Sequence, residues 1–292
     1  MIQLIGFVIV LAVVFGGLMV SGGPAIMSAL PFELALIGGA AFGTVLIGNA
    51  PSVARQAIIG FVTAIRGPKW QRSDYTNLLT TLHELIRRSR RGGMIAIEQD
   101  IEDPQNSELF GANPRLLADP DAIGLICDSF RLMAIDPSTA SRAGQQTEDT
   151  IAGIIETRHR AVAALQTLAD ALPALGIVAA VLGIIKTMGM IDQSTAVLGE
   201  MIAAAMLGTF LGVFLAYGLV GPIASRLGQV VDEDAAYLDV ISQVVTFSAQ
   251  GLAPRTAIEL ARSAIPADHR PAISSLDVAL TASRFKQSKA AA

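Results

Sequence analysis

Between Met1 and Ala50 the only formally charged side chain is Glu33, and between Leu172 and Ile223 there are only Lys186, Asp192 and Glu200. Two blocks so poor in charge leave little freedom of fold. They contain four apolar runs: MIQLIGFVIVLAVVFGGLMV (1–20), FELALIGGAAFGTVLIGNA (32–50), LPALGIVAAVLGIIKTMGM (172–190) and MIAAAMLGTFLGVFLAYGLVGPI (201–223). A helix crosses a hydrocarbon core with about 20 apolar residues, and each run is near that length. Four such runs, with a charged middle and a charged tail, predict an all-α polytopic membrane protein rather than a soluble protein with buried helices. A mean hydropathy of +0.54 and a charged fraction of 16% agree. The first run is expected to be an uncleaved helix, because it lacks a basic n-region, is too long, and precedes no convincing cleavage site.

Orientation follows from the basic residues. All but one of the 21 Lys and Arg lie in 51–167 or after residue 223, and the connector 21–31 carries none. The exception, Lys186, sits at the far end of the third run, where it can snorkel to the interface. Basic loops stay on the cytoplasmic side. The expected layout is a first transmembrane hairpin (1–50) and a cytoplasmic helical domain (51–167). A second hairpin (168–227) and a cytoplasmic helical tail (228–292) follow. Both termini then face the cytoplasm of a cell bounded by this membrane. Cys127 is alone, so no disulfide framework exists and a reducing side suits the chain. A net charge of −4 argues against wholesale nucleic-acid binding. His83, His159 and His269 show no metal spacing. There is no phosphate loop, dinucleotide fingerprint or nucleophile elbow, so neither an enzyme nor a cofactor is expected.

The densest charge in the chain is LIRRSRRGGMIAIEQDIEDP (85–104). Leu78, Leu79, Leu82, Leu85 and Ile86 form a helical apolar stripe. Arg87, Arg88 and Arg91 fall on the opposite face, and Arg90 borders the stripe. Gly92-Gly93 ends the helix, and Glu98, Asp100, Glu102 and Asp103 follow. Arginines in a last turn complement the helix dipole, but four exceed that need. The patch lies too far from the second run to set topology. A charged protein partner, anionic lipid and a solvated face are the open readings.

Glu33 and Asp170 sit at the ends of their runs, so no run is expected to carry a carboxylate near its middle, where a cation carrier keeps one. Small residues repeat instead: Ala204, Gly208, Gly212 and Ala216 on the fourth run, and Gly176 with Ala180 and Ala179 with Gly183 on the third. Such rows let helices approach closely, either within this chain or against another helix. Pro173 opens the third run and Pro222 closes the fourth; each removes a backbone hydrogen bond and favours a bend, or is merely tolerated at a span end. Thr209 can bond back to its own helix or offer its hydroxyl to a pore.

These stretches carry a resemblance. LPALGIVAAVLGIIKTMG (172–189), LGEMIAAAMLGTFLGVFLAYGLVGPIA (198–224), FELALIGGAAFG (32–43) and SRRGGMIAIEQDIEDP (89–104) resemble the MotA/PomA family of flagellar motor stator proteins along nearly the full length. The family is more distantly similar to ExbB and TolQ. The resemblance implies a subunit of the bacterial inner membrane that serves motility and chemotaxis. Five copies would surround a MotB dimer, whose aspartate carries the ion, with lipid around them. The rotor-binding charges, which would meet the rotor protein FliG, fall on Arg90 and Glu98. The coupling prolines fall on Pro173 and Pro222, and the pore threonine falls on Thr209. In sodium-driven members a second threonine stands at the position of Ala180. With alanine there, and no side-chain oxygen along GIVAAVLG (176–183), the implied coupling ion is H+. The alternatives are a sodium-driven stator of the same family, an ExbB/TolQ-like energiser of outer-membrane processes, and a passive membrane scaffold. The first hairpin argues against the energiser.

Overall fold

A computed structural model describes residues 2–21, 23–135 and 140–290, and no strand occurs among the described residues. The helices are α1 (Ile2–Ser21), α2 (Gly23–Gly48), α3 (Pro51–Arg66), α4 (Arg72–Gly92), α5 (Ile95–Glu102), α6 (Glu108–Gly111), α7 (Pro114–Leu117) and α8 (Pro120–Ile135). They continue with α9 (Ala140–Met188), α10 (Thr195–Phe214), α11 (Gly221–Ala249), α12 (Pro254–Ala264) and α13 (Ile273–Ala290). A π-helical turn, Leu215–Val220, joins α10 to α11. Four candidate spans are long and apolar enough to cross a membrane: Gln3–Val20, Ile26–Gly48, and stretches within Arg142–Met188 and Thr195–Ala249.

The helices outrun the hydropathy. Of the expected connector 21–31, Gly22 lies outside the described residues, and α2 already runs from Gly23. Proline near the first helical position is compatible with a helix start because its missing N–H would be unpaired there anyway, so Pro24 does not delay α2. Pro31 lies inside α2 without ending it. Likewise Pro173, at the start of the third apolar run, lies inside the 49-residue α9 rather than at a helix start.

The chain forms two compact units. The first comprises Met1–Gly67 and Thr157–Val231, and the second Pro68–Glu156 and Asp232–Ala292. All four apolar runs belong to the first unit, and α3 joins them. Its buried face is small (Ala54, Ala57, Gly60, Ala64), whereas Ile58, Ile59 and Val62 are exposed. A Cβ on Gly60 would lie 2.5 Å from Leu227 Cδ2, so a larger residue there would have to displace that leucine's methyl. The core of this unit is Ile37, Ala41, Leu172, Ala179, Leu207, Leu211 and Ala216.

The second unit is built on α4. The stripe Leu78, Leu79, Leu82, Leu85 and Ile86 is fully buried; each such side chain contributes about 1.5–3 kcal/mol. Onto α4 pack α12, through Ala257, Ile258 and Ala261, and α13, through Leu276 and Leu280. The segment after Gln250 therefore folds into this unit. Trp70 stacks on Tyr237 at 3.8 Å between ring centroids, and Tyr75 meets Tyr237 edge-on at 5.2 Å.

Candidate functional site

The small residues of the third and fourth runs meet within this chain. A Cβ on Gly176 would lie 2.7 Å from the Gly208 carbonyl oxygen and 3.0 Å from Gly212 Cα. One on Gly212 would lie 2.6 Å from the Leu172 carbonyl oxygen, and one on Gly183 would lie 2.6 Å from Ala205 Cβ. These contacts advance along α9 as they retreat along α10. They form a seam in which backbone touches backbone, the close approach that small residues permit. For these glycines, packing within the chain is the answer. The faces away from the seam stay open: Ile177, Val178, Val181 and Leu182 on α9 are exposed, as are Met206, Phe210 and Val213 on α10.

Of the expected coupling residues, Pro173, Ala180 and Thr209 adjoin this seam, and Pro222 lies beyond it. Ala180 is buried on α9, and its backbone nitrogen lies 3.3 Å from the point where a Gly208 Cβ would stand. Thr209 follows Gly208 and is half-buried. Among the described residues its hydroxyl takes up no hydrogen bond, unlike Thr187, which bonds back to the Gly183 carbonyl at 2.9 Å. Pro173 follows Leu172, whose carbonyl abuts Gly212. Pro222 comes just after the π turn, where the Gly221 N–H donates to the Ala216 carbonyl five residues back. π turns inside helices recur at functional sites. Pro222 is exposed and borders a cavity of about 350 Å3 with Phe7, Val10, Tyr217 and Arg226.

Glu33 departs from its sequence reading. It lies well inside α2, only 6% exposed, and its Oε2 has no hydrogen-bond partner. That oxygen lies 3.0 Å from where a Gly208 Cβ would stand. Ala180, on the other side of Gly208, is eight residues before the end of α9 at Met188, roughly 12 Å along the helix. A carboxylate therefore does stand within the spans. The earlier start of α2 is the reason: Glu33 opens the apolar run but not the helix.

In the second unit the arginine patch divides. Arg87 donates from Nε and Nη2 to the buried Glu84 carboxylate at 2.8 and 2.7 Å. Arg88 donates to Glu84 at 3.2 Å and to Asp100 Oδ2 at 3.1 Å, and Ser107 donates to Asp100 Oδ1. These are internal ties, and charge-assisted ones are the stronger kind. Glu102 pairs with Arg131 at 2.8 Å, and that hydrogen bond holds its carboxyl below the ordinary glutamate range. Asp103 caps the following turn through the Asn106 N–H. What faces outward is Arg90, Arg91 and Glu98. Arg90 is steadied by donating from Nη2 to the Leu252 carbonyl. Glu98 makes no ion pair among the described residues. Gly93, at φ 73°, turns the chain between α4 and α5 in a conformation that favours glycine. Burial pushes the Cys127 thiol up to about 11, which makes it a core side chain rather than a nucleophile.

Sequence reasoning thus missed Glu33, the π turn and the Leu252 anchor. A lone carboxylate in fifty uncharged residues was a usable signal for the first. The other two have none, since both depend on backbone geometry.

Comparison with known proteins bears on all of this. The description "Motility protein A N-terminal" matches residues 4–93, and "MotA/TolQ/ExbB proton channel family" matches 126–239. Motility protein A of Escherichia coli K12 is 34% identical, over 95% of this chain and 94% of its own. Chemotaxis protein LafT of Vibrio parahaemolyticus is 31% identical over 94% and 96%. The fold is shared with the C. jejuni MotAB structure, at a TM-score of 0.72 and 18% identity, covering 91% of this chain and 96% of that one. It is also shared with the flagellar MotAB stator complex of Bacillus subtilis, at 0.68 and 21%, with the same coverages. With its four apolar helices, the present chain is a multi-pass membrane protein, and it belongs to the motility protein A family, the flagellar stator subunits within the MotA/TolQ/ExbB proton channel group.

Proposed function

We propose that this chain powers flagellar rotation with protons, as the A subunit of a stator in the inner membrane with both termini in the cytoplasm. Its partner is MotB, in our reading a dimer; the structures whose fold it shares are of MotAB. Copies of the chain, five in our reading, surround that dimer, with lipid outside. Their open apolar faces on α9 and α10 suit both neighbours. The observation that carries this reading is the unpartnered Thr209 hydroxyl beside the Gly208–Ala180 contact. One hydroxyl can pass or steady a proton through a single hydrogen bond. A dehydrated sodium ion needs several oxygen ligands, and each unmet polar interaction costs several kcal/mol.

Coupling then runs through backbone. Pro173 leaves the Ala169 carbonyl, and Pro222 the Gly218 carbonyl, without the usual helical donor. The π turn beside Pro222 adds a second break. Helices interrupted in this way bend at low cost near charge that comes and goes. Because α9 and α11 each contribute residues to both units, a change at either proline continues along the same helix into the unit that presents Arg90 and Glu98. Those two charges meet FliG, where complementary charge sets register and rate of encounter.

The test is complementation. Expressed with its own MotB in a strain lacking stators, the chain should restore swimming. Paralysis despite normal membrane levels of both proteins, with restored outer-membrane uptake in an energiser mutant, would favour the ExbB/TolQ-like role instead.

A further inference from the structure

We propose that Glu33 is a proton-binding carboxyl of the stator, supplied by this chain in addition to any carboxylate supplied by its partner. The argument rests on the proton-driven reading above and on three observations. Glu33 is 94% buried inside a helix that crosses the membrane by length and composition. Its Oε2 has no hydrogen-bond partner. That oxygen also packs against α10 at residue 208: a Cβ there would stand 3.0 Å from Oε2, 3.1 Å from Ala179 Cβ and 3.3 Å from the Ala180 nitrogen, so a larger residue would make these neighbours shift by a few tenths of an ångström.

An ionisable side chain inside a membrane is expensive and usually functional. Here nothing offsets its charge. Between Leu172 and Phe214, the part of α9 and α10 beside the seam with its connecting turn, the charged residues are Lys186, Asp192 and Glu200, all exposed, and Asp170, the next along α9, is exposed too. Lys186 is six residues from Ala180 and Glu200 eight from Gly208, roughly 9 and 12 Å along their helices; Asp192 lies beyond the end of α9. α1 carries no charged residue, and α3 carries only Arg55 and the terminal Arg66. A carboxylate kept dry and unpaired is costly, and taking up a proton removes that charge. Glu33 thus packs against Gly208, the residue before Thr209, at the level where the ion path is proposed. It can accept a proton and hand it on, and the proton is the only species transferred.

The experiment uses the whole stator complex. Infrared difference spectra are recorded on reconstituted complexes as pH is varied, alongside swimming speed against external pH in cells. The unaltered chain should show a protonated-carboxyl band that titrates. Glu33→Gln, close in size, should lose that band and flatten the pH–speed profile at normal membrane levels. Glu33→Asp should keep a shifted band and a pH response. Spectra and speed profile unchanged in Glu33→Gln would overturn the proposal. So would an unshifted band in Glu33→Asp if the glutamine variant fails to assemble. Failure of the proton-driven reading would appear separately, as sodium-dependent speed in the unaltered chain. The infrared band reports proton uptake at Glu33 in either case.

Discussion

Arg87 and Arg88 tie α4 to Glu84 and Asp100, while Arg90, Arg91 and Glu98 face outward. This division decides which substitutions should affect torque and which should affect folding. Arg90→Glu removes one hydrogen bond to the Leu252 carbonyl, a loss of about 1.5–3 kcal/mol at most for a charged donor. The protein should therefore still insert and bind its partner, yet swimming should fall sharply. A compensating charge swap on FliG should restore part of the speed. Equal loss of membrane protein would make Arg90 structural. The motif singled out Arg90 and Glu98, and both are exposed, but the inward ties of Arg87 and Arg88 were not readable. A helical wheel puts Arg87 and Arg88 opposite the apolar stripe of α4, and only the packing of α5 and the position of Asp100 turn that face inward.

Among the elements, the stripe on α4 and the four apolar runs were legible because period and hydropathy record burial directly. Helix ends were less so. α2 begins well before its apolar run, and α9 runs through Pro173, because proline costs a helix one hydrogen bond without necessarily ending it. The glycine rows were visible, but whether they close within the chain depends on which faces meet. That seam gives a sharp contrast. Gly212→Ala places a Cβ 2.6 Å from the Leu172 carbonyl and should destabilise by about 1–3 kcal/mol through overpacking. Gly43, inside α2, has nothing within 4 Å of an added Cβ, so Gly43→Ala should hold or raise the unfolding midpoint, by about 0.5–1 kcal/mol of helix preference. A similar unfolding midpoint for both variants would mean that the seam is looser than described. At the next element, Pro222→Ala gives residue 222 an N–H for the Gly218 carbonyl and stiffens the junction after the π turn. The variant should insert and assemble but rotate slowly, as tethered-cell rotation with matched protein levels would reveal. Normal rotation would leave Pro222 as packing alone.

For the whole molecule the central claim is proton drive. In that proposal Ala180 stands where a hydroxyl would help a sodium ion, and Thr209, next to Gly208, keeps a hydroxyl that takes up no hydrogen bond among the described residues. The structure adds Glu33 to that level, an oxygen that the stretch 176–183 alone does not reveal because it comes from a distant helix. One carboxyl at Gly208 and one hydroxyl on the next residue suit a species that binds one acceptor at a time, rather than a hard cation that needs a shell of ligands. The direct measurement is the speed of cells driven only by this stator, with external sodium varied from near zero to physiological levels, with and without a protonophore. Speed should be flat with sodium and collapse with the protonophore. Speed that rises steeply with sodium and survives the protonophore would contradict the account.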